Sequence, residues 1–572
     1  MDTLINEGTC MDREKEIVRW RKYAVDGEVA AQLEALLEAD DQDAIEDAFF
    51  RDLEFGTGGL RGILGAGTNR MNIYTVGKAT QGLADYINRT TEEDIPSVAI
   101  ARDSRNNGEL FVRTAACVLA ANGICVHLYP RIEPTPALSF AVRDLRCSAG
   151  ICMTASHNPA VYNGYKVYSA DGCQITSTAA AEISRAINEV DAFKDVLSAD
   201  FDESIRNGMI DWIDDSTIDR FIDAVCSLNI QDPEAADIAL RLVYTPLNGT
   251  GLECMERMLP RIGMLDTTVV PEQKMPDGNF PTCPYPNPEM REALQKGIDL
   301  CHEIHPDLLL ATDPDADRVG VAVEDSGKYV LLTGNEIGIL LLDYICRMRT
   351  AQHTMPHEPL VVSTIVSTVM IDAIAADFDV QIMRTLTGFK YIGETITHLE
   401  AIGNADRFLL GFEESYGYLT GTHVRDKDSI DASMLICQMA QHYKKQGMSL
   451  AQAMESLYEK YGYYRNRTLS VSFPGANGAQ KMADLMARLR KNPPAEIAGM
   501  KVIETIDYQN GYDGLPSADV VEFVLPDTNK IVFRPSGTEP KIKAYLFSKS
   551  QTADGANTML DTLESAAHDV IS

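Results

Sequence analysis

The sequence predicts an α/β protein with three related α/β domains and a smaller C-terminal α+β domain. Its length of 572 residues corresponds to about four domains at roughly 150 residues each. Short β-rich runs alternate with helical periodicity in three successive blocks, which is typical of α/β folds. Near residue 464 this pattern gives way to strand-like runs, so the last domain is expected to differ from the others.

The predicted elements follow from local patterns along the chain. Strands are short apolar, β-prone runs bounded by turn residues, and helices repeat apolar residues every three or four positions. Residues 1–50 are acidic and helix-prone and are interpreted as a solvated helical lead-in. Strands are predicted at residues 98–101, 124–129, 151–154, 240–244, 308–311, 319–323, 360–364, 468–473 and 520–524. Helices are predicted at residues 110–121, 136–143, 291–305, 335–348 and 556–567.

Domain boundaries are placed where one pattern replaces another. Domains I to IV are expected over residues 51–208, 209–325, 326–463 and 464–572. No low-complexity tract or long Gly/Ser linker separates them. We therefore expect the domains to pack around one central cleft and to build a site together.

The amino-acid composition limits the binding partners and the cellular compartment that are expected. The net charge of -33 argues against a broad nucleic-acid or anionic-membrane surface. A small anionic substrate then requires basic residues gathered locally in a cleft. The 12 cysteines include no C-x-x-C pair, which favours a reducing cytoplasm. The N-terminus lacks a signal-peptide core and no apolar run has the length of a membrane span, so neither export nor membrane insertion is expected.

The segment at residues 154–159, Thr-Ala-Ser-His-Asn-Pro, presents one serine after an apolar run. Pro159 prevents the strand from continuing, so the Ser156 hydroxyl is expected on a loop at a strand's carboxyl end, where sites on open α/β sheets lie. In an extended backbone the His157 side chain would point away from Ser156. The adjacent pair is therefore only weak evidence for a hydrolase triad. A polar turn with an N-cap serine is the simpler alternative.

Asp313, Asp315 and Asp317 alternate, and three carboxylates so close together repel unless a divalent cation holds them. Hard oxygen donors predict Mg²⁺. An EF-hand is one alternative, because Glu324 occupies position twelve, but Arg318 stands where a turn glycine is needed and the flanks look like strands. A metal-free acidic turn is the other alternative.

Further loops offer groups that bind anions and sugars. The glycines of residues 55–62 allow backbone amides to approach an anion beside Arg61, although a plain flexible loop would look the same. Residues 387–390 and 411–417 carry carboxylates and hydroxyls suited to sugar hydroxyls. Residues 534–540 combine a guanidinium, hydroxyls and a glycine turn, which suits a phosphate monoester. The chain has no Walker-type G-x-x-x-x-G-K-[ST] sequence, which counts against an ATP-driven kinase of the class that uses this motif.

In this order, the segments resemble the α-D-phosphohexomutase superfamily over essentially the whole chain after residue 50. Residues 154–159 are similar to its phosphoserine loop, 313–318 to its metal loop, 413–415 to its sugar loop and 534–538 to its phosphate loop. The forms of residues 55–62, 413–418 and 425–428 are most similar to the phosphoglucomutase branch that includes phosphoglucomutase-2 and phosphopentomutase proteins.

The resemblance implies one loop per domain around a deep cleft. Ser156 would carry a phosphoryl group, and Mg²⁺ would be bound by that phosphate and by Asp313, Asp315 and Asp317. Lys427 matches the proposed general acid/base of the family, and His157 and Lys166 match other active-site positions. A lysine base needs a lowered pKa, which neighbouring cations would provide. The implied substrate-binding residues are Arg61, Arg318, Thr387, Gly388, Phe389, Lys390, Glu413, Ser415, Arg534, Ser536, Gly537 and Thr538.

The resemblance further implies interconversion of α-D-glucose 1-phosphate and glucose 6-phosphate, with glucose 1,6-bisphosphate as activator and intermediate. Phosphopentomutase or phosphomannomutase activity is the alternative within the superfamily, because contacts around Phe389, Lys390 and Glu413 choose the sugar. Gly417 stands where bacterial phosphomannomutase-type members have a histidine, so their proton-transfer scheme is not expected here. Gly58 also replaces a serine common in other branches. Sugar phosphates are the expected partners of a monomer or weak homodimer.

Two hypotheses from other classes remain open at this stage. A serine hydrolase would need a histidine spatially paired with Ser156. A non-catalytic acidic protein would bind Ca²⁺ much more tightly than Mg²⁺, with no activity to lose.

Overall fold

The computed structural model describes residues 12–56, 58–473, 477–536 and 541–571. Three N-terminal helices precede four main sheets, each packed with helices, and we call the units built on these sheets domains I to IV. The predicted α/β class is confirmed. Within the described ranges, no helix combines the length and the apolarity needed to cross a bilayer.

The lead-in is helical, as predicted, but it is broken into three helices. Each begins after an aspartate whose side chain accepts hydrogen bonds from the first-turn backbone amides, a preferred N-cap arrangement. The helices are α1 (Arg13–Tyr23), α2 (Gly27–Glu38) and α3 (Gln42–Phe49).

The expectation of a solvated lead-in is wrong for one face of these helices. Trp20 is 1% exposed and packs edge-on against Phe49, Tyr74 and Phe193, with ring centroids 5.4–5.8 Å apart. The sequence pattern of the helices is dominated by charge, so the few apolar residues that form this contact did not stand out. The lead-in is therefore part of the core that supports domain I.

We expect Trp20→Ala to lower the free energy of unfolding of the unit that contains the lead-in by about 3–5 kcal/mol, because a large buried aromatic side chain would leave a cavity. Urea denaturation followed by circular dichroism measures the change. Val18→Ala, on the same helix but 66% exposed, is the matched control and should stay within about 0.5 kcal/mol of wild type. Equal stability of the two variants would contradict the packing role.

Domain I has a six-stranded sheet in the order β1-β5-β4-β2-β3-β6, with strands β1 (Leu60–Ile63), β2 (Ser97–Arg102), β3 (Cys125–Leu128), β4 (Ala149–Met153), β5 (Tyr162–Ser169) and β6 (Ile210–Trp212). Strands β4, β2, β3 and β6 are parallel, whereas β5 runs antiparallel to β4 and β1. Its helices are α4 (Ile73–Thr90), α5 (Gly108–Ala121), α6 (Thr135–Asp144), α7 (Ser177–Glu189) and α8 (Phe201–Arg206).

Domain II has a five-stranded sheet in the order β11-β10-β9-β7-β8, with strands β7 (Arg241–Thr245), β8 (Asp266–Val269), β9 (Leu308–Thr312), β10 (Val319–Asp325) and β11 (Lys328–Leu332). Strands β8, β7 and β9 are parallel, and β10 returns antiparallel to β9. The helices are α9 (Ser216–Ser227), α10 (Gly251–Arg261), α11 (Pro271–Lys274) and α12 (Arg291–Ile304).

Domain III has a four-stranded sheet in the order β13-β12-β14-β15, with strands β12 (Leu360–Thr364), β13 (Gln381–Thr385), β14 (Phe408–Glu413) and β15 (Gly417–Leu419). Strands β13, β12 and β14 are parallel, and β15 returns antiparallel to β14. The helices are α13 (Gly334–Ala351), α14 (Met370–Asp377), α15 (Phe389–Ala401), α16 (Ser429–Lys445) and α17 (Leu450–Tyr461), with a 3₁₀ turn at Ala405–Arg407.

Domain IV differs, as predicted, because its main sheet is antiparallel throughout, in the order β16-β22-β21-β20-β19. The strands are β16 (Tyr463–Ser472), β17 (Glu496–Ile497), β18 (Met500–Lys501), β19 (Glu504–Asp507), β20 (Val521–Val524), β21 (Lys530–Pro535) and β22 (Lys541–Ser550). The helices are α18 (Gly478–Lys491) and α19 (Ala553–Ile571), with 3₁₀ turns at Tyr508–Asn510 and Pro526–Thr528.

Domains I to III place a loop at the same topological position. In each, the carboxyl end of a buried parallel strand turns into the antiparallel strand that returns beside it: β4 to β5, β9 to β10 and β14 to β15. The first two turns contain Ser156 and the aspartates at residues 313–317, and the third begins directly after Glu413, the last residue of β14. The equivalence supports the prediction that the three domains are related.

Packing holds these turns together. One continuous hydrophobic core contains buried residues of domains I, II and III, so their sheets are joined by apolar contact and not by linkers alone. Domain IV has its own core and meets domain III through a smaller apolar cluster. Described residues of all four domains line one cleft.

Candidate active site

The serine loop follows β4 and is held in an unusual backbone conformation. Ser156 has a φ of +51°, in the left-handed region that few non-glycine residues adopt, and its amide donates to Thr154 Oγ1 at 2.8 Å. The Ser156 hydroxyl donates to Asp313 Oδ2 at 2.9 Å and lies 3.1 Å from His157 Nδ1. The expectation that His157 points away is wrong, because it assumed an extended backbone at this residue.

The contact between Ser156 and His157 does not make a hydrolase triad. Burial, together with the charges of Arg318 and Arg61, lowers the pKa of His157 well below its usual value, so the imidazole is neutral. Among the described residues, no carboxylate forms an ion pair or hydrogen bond with the ring of His157, so the third group that orients a triad histidine is missing. Ser156 instead faces a carboxylate that comes from another domain.

The three predicted metal ligands lie together after β9. Asp313 and Asp315 are 0% exposed and Asp317 is 1% exposed, and one carboxylate oxygen of each lies within 4.8 Å of the others. Asp315 Oδ1 and Asp317 Oδ1 are buried without a hydrogen-bond partner among the described residues. Buried carboxylate oxygens without a hydrogen bond are costly, and carboxylate oxygens are the ligands that Mg²⁺ prefers. The residues therefore fit a divalent cation, and the strands on both sides exclude an EF-hand.

The pKa values of the three aspartates depend on one another and on two neighbouring lysines. Burial and the other two aspartates raise the pKa of Asp313 well above its usual value. Burial also acts to raise the pKa of Asp315 and Asp317, but Lys166 and Lys427 respectively provide the largest opposing charges and lower both below the usual value. Lys166 Nζ lies 2.7 Å from Asp315 Oδ2, and Lys427 Nζ lies 2.9 Å from Asp317 Oδ2.

The expected lowering of the lysine pKa values is wrong. Burial lowers the pKa of Lys166, but Asp315 and Asp317 outweigh it and raise the pKa above its usual value. For Lys427 the opposing carboxylates are Asp317 and Asp426, with the same result. The neighbours that determine these pKa values are carboxylates and not the cations that the sequence suggested. Both lysine ammonium groups therefore form ion pairs with the aspartate group.

The sugar loop lies on the wall contributed by domain III. Glu413 Oε1 accepts a hydrogen bond from the Gly388 amide at 2.8 Å, where Gly388 has a φ of +122° just before α15. Thr387 Oγ1 is buried without a partner among the described residues, and the Ser415 carbonyl accepts from Arg318 Nη1 at 3.1 Å. This wall offers both donors and acceptors.

One predicted substrate-binding residue lies apart from this wall. Lys390 does not line the cleft, and its Nζ lies 3.3 Å from Ser177 Oγ and 4.9 Å from the centroid of the Tyr391 ring. Its assignment stays a prediction that this geometry does not support.

The described part of the predicted phosphate loop lies at the carboxyl end of β21 in domain IV. Arg534 lines the cleft together with Lys543, and burial with the charge of Arg534 lowers the pKa of Lys543. The Ser536 amide donates to the Lys541 carbonyl at 2.7 Å. The predictions for Gly537 and Thr538 lie outside the described residues.

The cleft has a volume of about 840 Å³, within the usual range of roughly 300–1,000 Å³ for small-molecule sites. All four domains contribute to it, as expected. The predicted residues that line it are Arg61, Ser156, His157, Lys166, Asp317, Arg318, Thr387, Gly388, Phe389, Glu413, Ser415, Lys427 and Arg534.

Comparison with known proteins identifies the family. Residues 52–194, 219–327 and 333–461 match the phosphoglucomutase/phosphomannomutase alpha/beta/alpha domains I, II and III, respectively. The chain belongs to the phosphoglucomutase/phosphomannomutase family. This membership confirms the predicted α-D-phosphohexomutase superfamily and the predicted enzyme class, a mutase.

Individual relatives of the family match nearly the whole chain. A phosphoglucomutase of Staphylococcus haemolyticus strain JCSC1435 is 35% identical over 539 residues, which cover 92% of this chain and 95% of the relative. A phosphoglucomutase of Staphylococcus aureus strain MRSA252 is 35% identical over 561 residues, covering 96% and 98%.

Solved structures of distant relatives share the fold. A putative phosphomannomutase from Thermus thermophilus has a TM-score of 0.69 at 20% identity, covering 91% of this chain and 99% of that one. The open form of the phosphoglucomutase pp63/parafusin from Paramecium also has a TM-score of 0.69, at 18% identity, covering 91% and 95%. The four-domain arrangement is thus shared beyond the range of strong sequence similarity.

Several residues of this phosphoglucomutase/phosphomannomutase family site were missed by the sequence analysis. Arg105 donates to carbonyls of the serine loop, and Thr135 Oγ1 donates to Asp315 Oδ2 at 3.0 Å. Glu289 Oε1 accepts from Arg318 Nη1 at 2.7 Å. Burial and Glu413 raise the pKa of the cleft residue Glu414 to about 7. Arg105 lies three residues after the carboxyl end of β2, as Ser156 does after β4, so the strand-end rule used for Ser156 could have found it.

Proposed function

We propose that this protein is a Mg²⁺-dependent phosphoglucomutase that interconverts α-D-glucose 1-phosphate and glucose 6-phosphate, with glucose 1,6-bisphosphate as activator and intermediate. The observation that carries the proposal is the Ser156 hydroxyl, 2.9 Å from Asp313, in the same cleft as the cations Arg534 and Lys543 of domain IV. A mutase needs two anion sites, one for the phosphate that is transferred and one for the phosphate that is not. The names of the staphylococcal relatives support glucose phosphate as the substrate.

The proposed reaction uses a phosphoryl group stored on Ser156. In the first transfer the bond from phosphorus to Ser156 Oγ breaks, the sugar O6 forms the new bond to phosphorus, and the proton lost by O6 balances the proton gained by Oγ. The bisphosphate then turns over within the cleft. In the second transfer the bond from phosphorus to the sugar O1 breaks, Ser156 Oγ forms the new bond to phosphorus, and the proton lost by Oγ balances the proton gained by O1. Glucose 6-phosphate remains.

The chain's own residues position and neutralise the reacting groups. Asp313, Asp315 and Asp317 would hold Mg²⁺, which supplies charge neutralisation for the transferring phosphoryl group. Lys166 and Lys427 keep two of these carboxylates ionised and in place. At the other end, the Arg534 guanidinium suits bidentate contact with the phosphate that is not transferred.

The choice of sugar rests on the domain III wall. Glu413 offers an acceptor to sugar hydroxyls near Gly388, and the Thr387 hydroxyl, which has no hydrogen-bond partner among the described residues, offers a donor. Mannose 1-phosphate and ribose 1-phosphate carry the same anionic group, so phosphomannomutase and phosphopentomutase activities are the competing outcomes. We also propose a cytoplasmic location, because the described cysteines are free thiols. A monomer or weak homodimer is proposed on the resemblance to the family.

A substrate panel tests the proposal. The kcat/KM for glucose 1-phosphate, with Mg²⁺ and glucose 1,6-bisphosphate present, is expected to exceed the values for mannose 1-phosphate and ribose 1-phosphate at least tenfold. Labelled bisphosphate should transfer label to the protein, with peptide mapping placing it on Ser156. A strong preference for ribose 1-phosphate, or label that never reaches the protein, would overturn the proposal.

A further inference from the structure

Arg105 is buried at 3% exposure beneath the serine loop and is not part of the lining of the cleft. Its guanidinium donates to four backbone carbonyls, three in that loop and one at the first residue of β5. Nη2 bonds to the carbonyls of Ser156, at 2.6 Å, and Asn158, while Nη1 bonds to those of Pro159 and Tyr162, both at 2.9 Å. One side chain therefore satisfies carbonyls from Ser156 to the first residue of β5.

The serine loop has little regular structure of its own to hold this shape. Residues 154–161 lie outside helices and strands, and Ser156 keeps its φ of +51° between β4 and β5. A non-glycine residue in this region persists only when its surroundings hold it there. The four bonds from Arg105 supply that restraint directly at the carbonyl of Ser156 and on the chain that follows it.

Arg105 is itself fixed from both sides. Its amide donates to Asp103 Oδ1 at 2.9 Å, and its Nε lies 3.3 Å from Asp103 Oδ2. Its Cζ lies 5.1 Å from the centroid of the Phe280 ring, which belongs to domain II. Next to it, Asn106 Nδ2 donates to Asn279 Oδ1 at 3.0 Å. The guanidinium thus lies between the serine loop of domain I and the domain that carries Asp313.

We propose that Arg105 is a positioning residue for phosphoryl transfer, which fixes the serine loop so that Ser156 Oγ faces Asp313 across the boundary of domains I and II. The inference rests on the proposed function, because it concerns the transfer step at Ser156. A lysine cannot replace the guanidinium, since its single ammonium lacks the planar fork that reaches four carbonyls. Small displacements of a reacting atom cost about 10²-fold in rate.

The first test separates kcat from KM. Arg105→Lys is expected to lower kcat for glucose 1-phosphate about 100-fold, while KM changes less than about threefold because the phosphate-binding residues of domain IV are untouched. The matched control is Arg102→Lys, on the same segment, whose guanidinium pairs with Glu109 at 2.7 Å and not with the serine loop. It should keep wild-type kcat. Circular dichroism and thermal unfolding confirm that each variant is folded.

The second test is chemical rescue. Adding guanidinium ion at low millimolar concentration to Arg105→Ala should restore kcat at least tenfold, whereas methylammonium at the same ionic strength should not. A structural role alone predicts a loss of folded protein without guanidinium-specific rescue. If Arg105→Ala does not fold, the kcat of the charge-preserving Arg105→Lys decides the question.

Two results would overturn the inference: a kcat within about threefold of wild type in Arg105→Lys, or a folded Arg105→Ala whose lost kcat guanidinium does not restore. These outcomes are distinct from failure of the proposed function. That failure would show in the wild-type protein, as an absence of Ser156-dependent turnover of glucose 1-phosphate.

Discussion

Ser156→Ala is expected to lose mutase activity by about 10⁵-fold or more, the scale seen when a covalent nucleophile is removed. Without Oγ there is no atom to carry the phosphoryl group between the two transfers, so added glucose 1,6-bisphosphate should not restore turnover. A coupled assay that detects glucose 6-phosphate measures the loss. Intact-protein mass spectrometry should at the same time show that the phosphorylated species is absent.

Ser198→Ala is the matched control for this variant. Ser198 lies in the same domain, is exposed, and is far in sequence from the loop. It should retain wild-type activity and wild-type phosphorylation. Substantial turnover by Ser156→Ala, or phosphate still carried at wild-type level by that variant, would show that the covalent intermediate is placed on the wrong residue.

Asp313→Asn is expected to have opposite effects on activity and on stability. Losing one carboxylate of the metal group should reduce Mg²⁺-dependent kcat/KM by about 10³-fold, which is several kcal/mol of charge stabilisation. Asparagine keeps an oxygen for the amides of Asp317 and Arg318, which now donate to Asp313 Oδ1 at 3.1 and 3.0 Å. Because burial and the other two aspartates raise the pKa of Asp313, keeping this carboxyl in the folded, metal-free protein costs stability at neutral pH. Asparagine does not ionise and removes that cost, so the metal-free protein should have a higher Tm.

Calorimetry with and without EDTA checks the second prediction. Mg²⁺ should raise the Tm of the wild type by binding the folded state, and should raise that of Asp313→Asn much less. Asp325→Asn, an exposed substitution at the end of the adjoining strand β10, is the control and should behave as wild type in both assays. A variant Asp313→Asn with unchanged Mg²⁺ affinity would show that the cation is held elsewhere.

Local sequence patterns were sufficient to predict many helices and strands and to find the candidate reactive side chains. The strand at residues 360–364 was predicted with the bounds that β12 has, and residues 110–121 fall within α5, because each is an unbroken pattern of one period. Ser156 was found because polar residues that follow a buried parallel strand lie at the edge where sites form. Glu413 was found because its segment carries carboxylates and hydroxyls suited to sugar hydroxyls. Their chemical types were readable without any knowledge of their neighbours.

Contacts between distant segments were not readable in this way. The packed face of the lead-in depends on Trp20 meeting Phe193, which is 173 positions away in the chain. The orientation of His157 depends on a left-handed serine, and that conformation depends in turn on Arg105. None of these contacts has a periodic signature, because each joins residues that only the folded chain brings together.

The sequence by itself determined the class of fold, the order of the loops and the kinds of donor that each loop offers, since these depend on short-range pattern. The tertiary structure alone decided which charges act on one another. Lys166 and Lys427 were expected among cations, yet they lie against Asp315 and Asp317, so the direction of their pKa change is reversed. The sign of such a change depends on distances of a few ångströms between domains, and those distances exist only once the domains have packed together.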